Sequence, residues 1–143
     1  MIDKILIPTD GSDQAERAVE YGLDLAESFD AEVHALYVIE TEATYVLTVG
    51  LSDDEMEEYE EYGDEVVSDV VDRANQRGLD GRGMLKKGKV SEEIVEYGDD
   101  NDIDHIVMGG QGRGAIAKYL GSTAEKVVRM SSLPATILSP SAK

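Results

Sequence analysis

The sequence predicts an α/β fold in which a five-stranded parallel sheet is covered by helices on both faces. Short, uniformly apolar segments match buried strands, and segments with an apolar helical face alternate with them along the chain. Strands that are buried on both faces and separated by helices are typical of parallel sheets. Because such crossovers are right-handed, the arrangement is a doubly wound, flavodoxin-like sheet, for which the strand order 2-1-3-4-5 or a close relative is usual.

The first strand, helix and second strand follow one another within residues 4–40. KILIPTD is apolar until a proline and a glycine stop it, which predicts a strand that ends in a turn. Residues 12–30 predict a helix with Ser12 as its N-cap. AEVHALYVIE, residues 31–40, is the second strand. The buried face of the helix is predicted to consist of Ala15, Ala18, Val19, Gly22, Leu23 and Ala26.

The middle of the chain begins with a long connection, residues 41–52. Residues 53–78 then predict a second helix, whose first turns are crowded with acids that the helix dipole favours. GRGMLKKG, residues 81–88, is a weaker third strand. Residues 91–102 predict a helix capped by Ser91, with Glu92 and Glu93 in its first turn.

The C-terminal third supplies the last two strands and the last helix. DHIVMGG, residues 104–110, is the fourth strand, STAEKVVRMS, residues 122–131, is the fourth helix, and PATILS, residues 134–139, is the fifth strand. No linker, repeat or low-complexity segment divides the chain. Residues 1–143 are therefore expected to form a single domain.

Composition excludes several classes of function. With 31 acidic residues against 13 basic ones and a net charge of -18, the surface is unsuited to nucleic acid. We interpret this acidity as a solvated, halophilic surface, since high salt screens the repulsion between like charges. The sequence has no cysteine, no signal-peptide pattern at residues 1–10 and no apolar run near the ~20 residues of a membrane span. We expect a cytoplasmic protein.

The candidate site lies where the strand order reverses. Ligands of open parallel sheets bind beyond the carboxyl ends of the strands at that point, so PTDGS and GGQGRG are expected to face each other across a crevice. Residues 106–139 hold four basic residues and one acid, whereas the whole chain carries -18. Glycine backbone N–H groups and a helix N-terminus attract anions. The glycine loop is therefore predicted to bind phosphate.

A structural explanation of the same residues stays open. Ser122 and Glu125 have the spacing of a capping box, so Ser122 could serve only as a cap and Gly121 only as a turn.

Two other glycine motifs are rejected on spacing. Gly110, Gly112 and Ala115 match a loose dinucleotide fingerprint, but PATILS lacks the acid expected about twenty residues on. A Walker loop that starts at Gly109 fails because Ala115 stands where lysine is required.

Asp10 is the candidate metal ligand, because a carboxylate at the end of the first strand can supply oxygen to Mg²⁺. The alternative is an Asx-type turn with Gly11 and Ser12. His34 and His105 lie in or beside strands without a metal-spaced partner and are expected to pack. No second acid or base stands out as a catalytic partner, which argues against a fast hydrolase.

Together these segments resemble the universal stress protein family. KILIPTDGS, ALYVIE, IVMGGQGRGAIAKYLGSTAEKVV and LPATIL follow the family's order, over essentially the whole chain, and the C-terminal third is the most specific part. The resemblance implies an adenine nucleotide alpha hydrolase-like fold with strand order 3-2-1-4-5. It also implies a homodimer formed through the fifth strand, from Pro134 to Ser139.

The resemblance further implies ATP bound by a loop of pattern G-x-x-G, nine residues, then G-S/T. Between Gly112 and Gly121 this chain has eight residues, RGAIAKYL, one fewer than the pattern. Asp10 would support Mg²⁺, Val38 would line the adenine pocket, and Lys118 could screen charge at the mouth. The implied nucleotide-binding residues are Pro8, Thr9, Asp10, Val38, Met108, Gly109, Gln111, Gly112, Arg113, Gly121, Ser122 and Thr123.

The function implied is that of an ATP-dependent switch in stress response that acts on a protein client. Nucleotide binding would order the loop, and a partner could sense that change. Two alternatives remain: a nucleotide-free regulatory dimer of the same fold, and a slow ATPase.

Overall fold

The computed structural model describes residues 1–41, 50–110 and 120–139. Gln111, Gly112, Arg113 and Lys118 lie outside the described residues, as does most of the connection predicted at 41–52. The elements are β1 (Lys4–Pro8), α1 (Asp13–Phe29), β2 (Glu32–Glu40), α2 (Asp53–Gln76), β3 (Gly81–Gly88), α3 (Val90–Asp100), β4 (His105–Gly109), α4 (Ser122–Met130) and β5 (Ala135–Leu138).

All five strands form one parallel sheet in the order β3-β2-β1-β4-β5. The predicted α/β, doubly wound class is confirmed, and the order is the 3-2-1-4-5 that the family resemblance implies rather than 2-1-3-4-5. The chain builds outward from β1 through β2 to β3, then returns to the other side of β1 for β4 and β5. The strand order therefore reverses between β1 and β4, as predicted.

Two apolar clusters cover the two faces of the sheet. Ile5 and Ile7 of β1 pack with α1 and α2, whereas Leu6 points to the opposite face and packs with α3 and α4. The residues predicted for the buried face of α1 are all buried. No helix within residues 1–41, 50–110 and 120–139 is long and apolar enough to cross a membrane.

The helix starts show which side chains act as caps. Ser12 caps α1 as predicted, since its Oγ accepts a hydrogen bond of 3.2 Å from the N–H of Ala15. The predicted cap Ser91 is wrong: α3 begins at Val90, and Ser91 lies inside the helix, 2% exposed. The carboxylate of Glu40, at the end of β2, instead lies 3.4 Å from the N–H of Val90.

Arginines on α2 connect it to the acidic surface of α1. Arg73 contacts Glu16 at 2.6 Å and also pairs with Glu20, and Arg77 lies 2.7 Å from Asp24. These bridges neutralise several of the carboxylates that crowd the two helices. Exposed pairs of this kind contribute little individually, and salt weakens them.

His34 is a buried base in the middle of the sheet. It is 4% exposed, its Nδ1 lies 2.6 Å from the hydroxyl oxygen of Tyr97, and its Nε2 lies 3.4 Å from Glu32. Burial lowers the pKa of His34 below its ordinary value of 6.5, with Arg82 and Lys4 adding to this effect and Glu32 opposing it. Because Nε2 lies beside the Glu32 carboxylate, we place the proton of the neutral ring on Nε2, and Nδ1 then accepts from the Tyr97 O–H.

We expect His34 to make the free energy of unfolding decrease as the pH is lowered. Its pKa is about 6.5 in the unfolded chain and lower in the fold, so below pH 6.5 the unfolded state takes up the proton first. Urea titrations of wild type and His34→Gln at pH 7.5 and 5.5 measure the effect. The wild type should lose more stability than the variant over this interval; equal losses would contradict the assignment.

Candidate functional site

A cavity of about 330 Å³ opens between the carboxyl ends of β1 and β4. Its volume lies at the lower end of the ~300–1,000 Å³ found for small-molecule pockets. The crevice expected from the strand order is therefore present, and the side chains of residues 1–41, 50–110 and 120–139 leave room within it. It is lined by Pro8, Thr9, Asp10, Ala15, Leu36, Val38, Val90, Ile94, Met108, Gly109, Gly110, Gly121, Ser122, Thr123 and Ala124.

One part of the cavity wall is apolar. Leu36 and Val38 of β2 face it from one strand, Met108 of β4 from another, and Val90 and Ile94 from α3. Leu36, Ile94 and Met108 are at most 5% exposed and belong to the core cluster beneath. The apolar wall is thus the upper surface of the packed core, which suits a flat, weakly polar group.

The other part of the cavity wall is the N-terminus of α4. The first hydrogen bond of the helix, 3.0 Å long, joins the N–H of Glu125 to the carbonyl of Gly121. The N–H groups of Ser122, Thr123 and Ala124 therefore have no acceptor within the helix, and all three residues line the cavity. The helix dipole adds partial positive charge at the same place. This end of the cavity can bind an anion.

The capping-box interpretation of Ser122 is wrong. The N-cap of α4 is Gly121, which has no side chain, and α4 begins at Ser122 without a side-chain cap. The helices α1 and α2 do have caps, at Ser12 and at Ser52 with a full capping box.

Gly110 holds the two ends of the glycine loop together. Its N–H donates to the carbonyl of Leu138 at 2.9 Å, and its own carbonyl accepts from the N–H of Gly121 at 2.5 Å. A Cβ atom at position 110 would lie 3.1 Å from the Leu138 oxygen and 3.2 Å from Ile137. These separations are tighter than ordinary van der Waals contact, so glycine suits this close approach, and the loop begins and ends beside β5 at the mouth of the cavity.

Asp10 forms the Asx-type turn that the sequence suggested as the alternative to a metal site. Its Oδ1 accepts a hydrogen bond of 2.9 Å from the N–H of Ser12, and Thr9 Oγ1 accepts one of 3.1 Å from Gly11. The turn leaves Asp10 in the wall of the cavity that the start of α4 also lines. Within the part of the chain that the structure describes, no group of three or more His, Cys, Asp or Glu could hold a metal ion.

The structure brings most of the predicted site residues together. Gln111, Gly112 and Arg113 lie outside the described residues, and the two histidines lie away from the cavity wall, with His105 Nε2 bonded to Thr136 Oγ1 at 2.7 Å. The predicted residues that line the cavity are Pro8, Thr9, Asp10, Val38, Met108, Gly109, Gly121, Ser122 and Thr123.

Sequence reasoning missed the rest of the wall. Leu36 shares a face of β2 with Val38, so strand alternation could have found it. Val90 and Ile94 are four residues apart on one face of α3, but the helix was predicted to start after Val90. The other residues not predicted are Ala15 and Ala124, whereas Gly110 lies within the predicted glycine loop.

Sequence comparison identifies relatives over nearly the whole chain. The model of the universal stress protein family matches residues 1–139. The universal stress protein MJ0531 of Methanocaldococcus jannaschii is 34% identical over 137 residues, covering 94% of this chain and 81% of that protein. A universal stress protein of Methanothermobacter thermautotrophicus is 33% identical over an alignment of 146 positions, covering 96% of this chain and 94% of that protein.

Structural comparison gives neighbours of the same fold. MJ0577 of M. jannaschii, whose structure was used to assign its biochemical function, superposes with a TM-score of 0.84 at 26% identity, covering 100% of this chain and 99% of that one. A universal stress protein in complex with cAMP has a TM-score of 0.75 at 24% identity, covering 98% and 99%. One from Archaeoglobus fulgidus in complex with dAMP has 0.68 at 20%, covering 96% and 97%.

Proposed function

This chain belongs to the universal stress protein family, and from that premise we propose that it binds ATP and acts as a nucleotide-dependent regulatory switch. One observation carries the proposal: the uncapped N-terminus of α4 and an apolar wall face the same cavity. The first suits a phosphate chain and the second suits a purine base. Two proteins of this fold hold adenine nucleotides, cAMP and dAMP, which supports adenine as the base.

In this proposal each part of the nucleotide has its own part of the wall. The phosphates accept hydrogen bonds from the N–H groups of Ser122 and Thr123, together with backbone N–H groups of Gly109, Gln111 and Gly112; the N–H of Gly110 is already bonded to Leu138. The base lies against Val38 and Met108, and Pro8 and Thr9 flank the ribose. Arg113 and Lys118 reduce the negative charge at the mouth.

The regulatory part of the proposal is the loop between Gly110 and Gly121. The two ends of the loop are hydrogen bonded to each other, and in this proposal bound phosphate changes the conformation of the segment between them. A protein client that contacts this segment would distinguish the ATP-bound protein from the free one.

Equilibrium dialysis with ATP and Mg²⁺ in concentrated KCl tests the proposal, with GTP as the matched control nucleotide. We expect saturable binding of ATP at one site per chain and weaker binding of GTP. Absence of binding at millimolar ATP would favour the alternative of a nucleotide-free regulatory dimer.

Asp10→Asn tests the metal part of the proposal. The Asp10 carboxylate faces the same cavity as the phosphates, so a cation such as Mg²⁺ is needed between the two negative groups. Without Mg²⁺ we expect the variant to bind ATP more tightly than wild type, by roughly tenfold or ~1.4 kcal/mol. Addition of Mg²⁺ should strengthen ATP binding to wild type more than to the variant. An equal effect of Mg²⁺ on both proteins would remove Asp10 from the metal site.

The same variant separates a switch from a slow ATPase. In single-turnover assays with bound ATP, an unchanged hydrolysis rate in Asp10→Asn would exclude a catalytic role for this carboxylate. A large fall in the rate would favour the ATPase.

Dimerisation through β5 belongs to the proposal as well. β5 is an edge strand whose residues are half-buried, and the preceding helix exposes Val128 and Met130, by 54% and 47%. A second copy paired along β5 would cover apolar surface of this kind. Analytical ultracentrifugation of wild type and Ile137→Lys should give a dimer and a monomer respectively.

We also propose that the protein works in the cytoplasm of a halophile. The excess of acids predicts strong repulsion at low ionic strength, with few basic residues to offset it. The melting temperature should therefore rise steadily as KCl is raised above physiological concentration. A melting temperature that falls or stays level would contradict the halophilic interpretation.

A further inference from the structure

The second edge of the sheet, formed by β3, has no assigned role. β3 is eight residues long and pairs with β2 alone among the described residues. Arg82, Gly83 and Met84 are exposed in the middle of the strand, and Met84 retains 40% of its accessible surface. This edge lies at the opposite end of the sheet from β5.

The pattern of hydrogen bonds determines which peptide groups of β3 face outward. At the two ends of the pairing with β2, the N–H of Val33 donates to Asp80 and the N–H of Thr41 donates to Gly88. Parallel pairs bond through alternate residues, so the even-numbered residues of β3 serve β2. The N–H and C=O groups of the odd-numbered residues point to the open edge: Gly81, Gly83, Leu85 and Lys87.

A groove runs beside this open edge. Its volume is about 380 Å³, and it lies between β3 and the outer side of α2. Helix α2 packs closely over the strand, since a Cβ atom on Gly83 would lie 3.0 Å from Val67 and one on Gly81 would lie 3.2 Å from the backbone of Val71. The groove is lined by Asp64, Val67, Ser68, Val71, Asp72, Gly83, Met84 and Leu85.

The charge of β3 is opposite to the net charge of the protein. Residues 81–89, GRGMLKKGK, hold four basic residues and no acid in a chain of net charge -18. The Arg82 side chain pairs with Glu32 and is still 72% exposed, and that of Lys87, 3.8 Å from Glu60, is 51% exposed. Edge-to-edge pairing of two copies would bring these basic side chains together, which disfavours self-association.

We propose that the β3 edge binds an extended segment of a partner protein in which acidic residues alternate with apolar ones. The outward N–H and C=O groups pair with the backbone of that segment, which adds a sixth strand to the sheet. On one face the acidic side chains of the partner meet Arg82 and Lys86. On the other face its apolar side chains enter the groove over Val67 and Val71.

The test uses the full-length protein and two short fluorescent peptides of identical composition. In one peptide glutamate alternates with valine; in the other the glutamates and the valines form separate blocks. We expect anisotropy to show binding of the alternating peptide and several-fold weaker binding of the block peptide. Equal binding of the two peptides would mean charge attraction without strand pairing and would overturn the proposal.

Amide hydrogen exchange followed by NMR locates the contact. With the alternating peptide bound, the N–H groups of Gly83, Leu85 and Lys87 should exchange several-fold more slowly, whereas those of Met84 and Lys86, already bonded to β2, should change little. Unchanged exchange at the three outward positions would overturn the proposal.

Two variants test the charge and the backbone separately. Lys86→Glu should weaken peptide binding several-fold, and Lys126→Glu on α4, with the same change in net charge, should not. Lys87→Pro and Lys87→Ala both remove the charge and leave the pairing with β2 intact, but only Lys87→Pro removes the outward N–H, so it should weaken binding more than Lys87→Ala does. Equal losses of peptide affinity in Lys86→Glu and Lys126→Glu would contradict the proposal. The basic residues of β3 would then serve only to prevent pairing with the edge strands of other molecules. Because ATP is absent from these measurements, the outcome is independent of the nucleotide site.

Discussion

Replacement of Ser122 by aspartate should abolish ATP binding and make the fold slightly more stable. The new carboxylate would lie at the first residue of α4, in the cavity wall. There it can accept hydrogen bonds from the N–H groups that we assign to the phosphates. Two unit charges ~4 Å apart repel by about 4 kcal/mol at an effective dielectric constant near 20. A loss of affinity of at least a hundredfold, ~2.8 kcal/mol, is therefore expected.

The rise in stability is the distinguishing part of this prediction. A carboxylate in the first turn of a helix is favoured by the dipole, typically by ~0.5 kcal/mol. Chemical denaturation should therefore show Ser122→Asp to be as stable as wild type or more so, while equilibrium dialysis shows no bound ATP.

Ser132→Asp is the matched control for this variant. It introduces the same side chain beyond the C-terminal end of α4, at an exposed position outside the cavity wall. ATP affinity in the control should stay close to that of wild type. If Ser122→Asp binds ATP as wild type does, the start of α4 does not hold the phosphates.

The architecture could be predicted because local patterns and packing agree along most of the chain. The helical spacing of Ala18, Leu23 and Ala26 predicts a buried face of α1, and the structure buries it. β2 is apolar at every position from Ala35 to Ile39 because both of its faces are covered, which is what a parallel sheet requires. The strand order is different: crossover rules left more than one arrangement, and the family resemblance selected the right one.

Features that depend on contacts between distant segments escaped prediction. The start of α3 was misplaced because Glu40, fifty positions before Val90, provides the carboxylate at that helix end. The preference for serine at helix N-caps predicted Ser91 as the cap instead. The contribution of Val90 and Ile94 to the apolar wall was therefore missed. Likewise, Ser122 and Glu125 have capping-box spacing, yet Gly121 takes the N-cap position, and its N–H is bonded to Gly110. Spacing alone does not record such partners.

The distribution of charge was also only partly interpretable from the sequence. The small number of acids in the C-terminal third indicated an anion site at the glycine loop. The basic stretch at residues 81–89 was predicted only as a weak strand. These charges indicate a binding surface only because the strand lies at the edge of the sheet, beside a groove. Edge position is a property of the strand order and is not visible in the segment itself.

Gly112→Val should reduce ATP affinity by at least a hundredfold, ~2.8 kcal/mol, with no loss of stability. The family resemblance implies that the backbone at Gly112 approaches the phosphates, and our proposal assigns it that role. A branched side chain there would occupy the space of the anion and hold the N–H groups away from it. The two ends of the loop would stay bonded, since Gly110 and Gly121 are unchanged.

Ala117→Val provides the control, because it adds bulk within the same segment at a position outside the pattern. Dialysis with ATP and Mg²⁺ and thermal melts of the three proteins give affinity and stability side by side. We expect wild type and Ala117→Val to bind alike and Gly112→Val to melt at the wild-type temperature without binding. Normal binding by Gly112→Val would place the nucleotide elsewhere. Together with a loss in Ser122→Asp, that result would retain the start of α4 as the anion site and remove the loop from it.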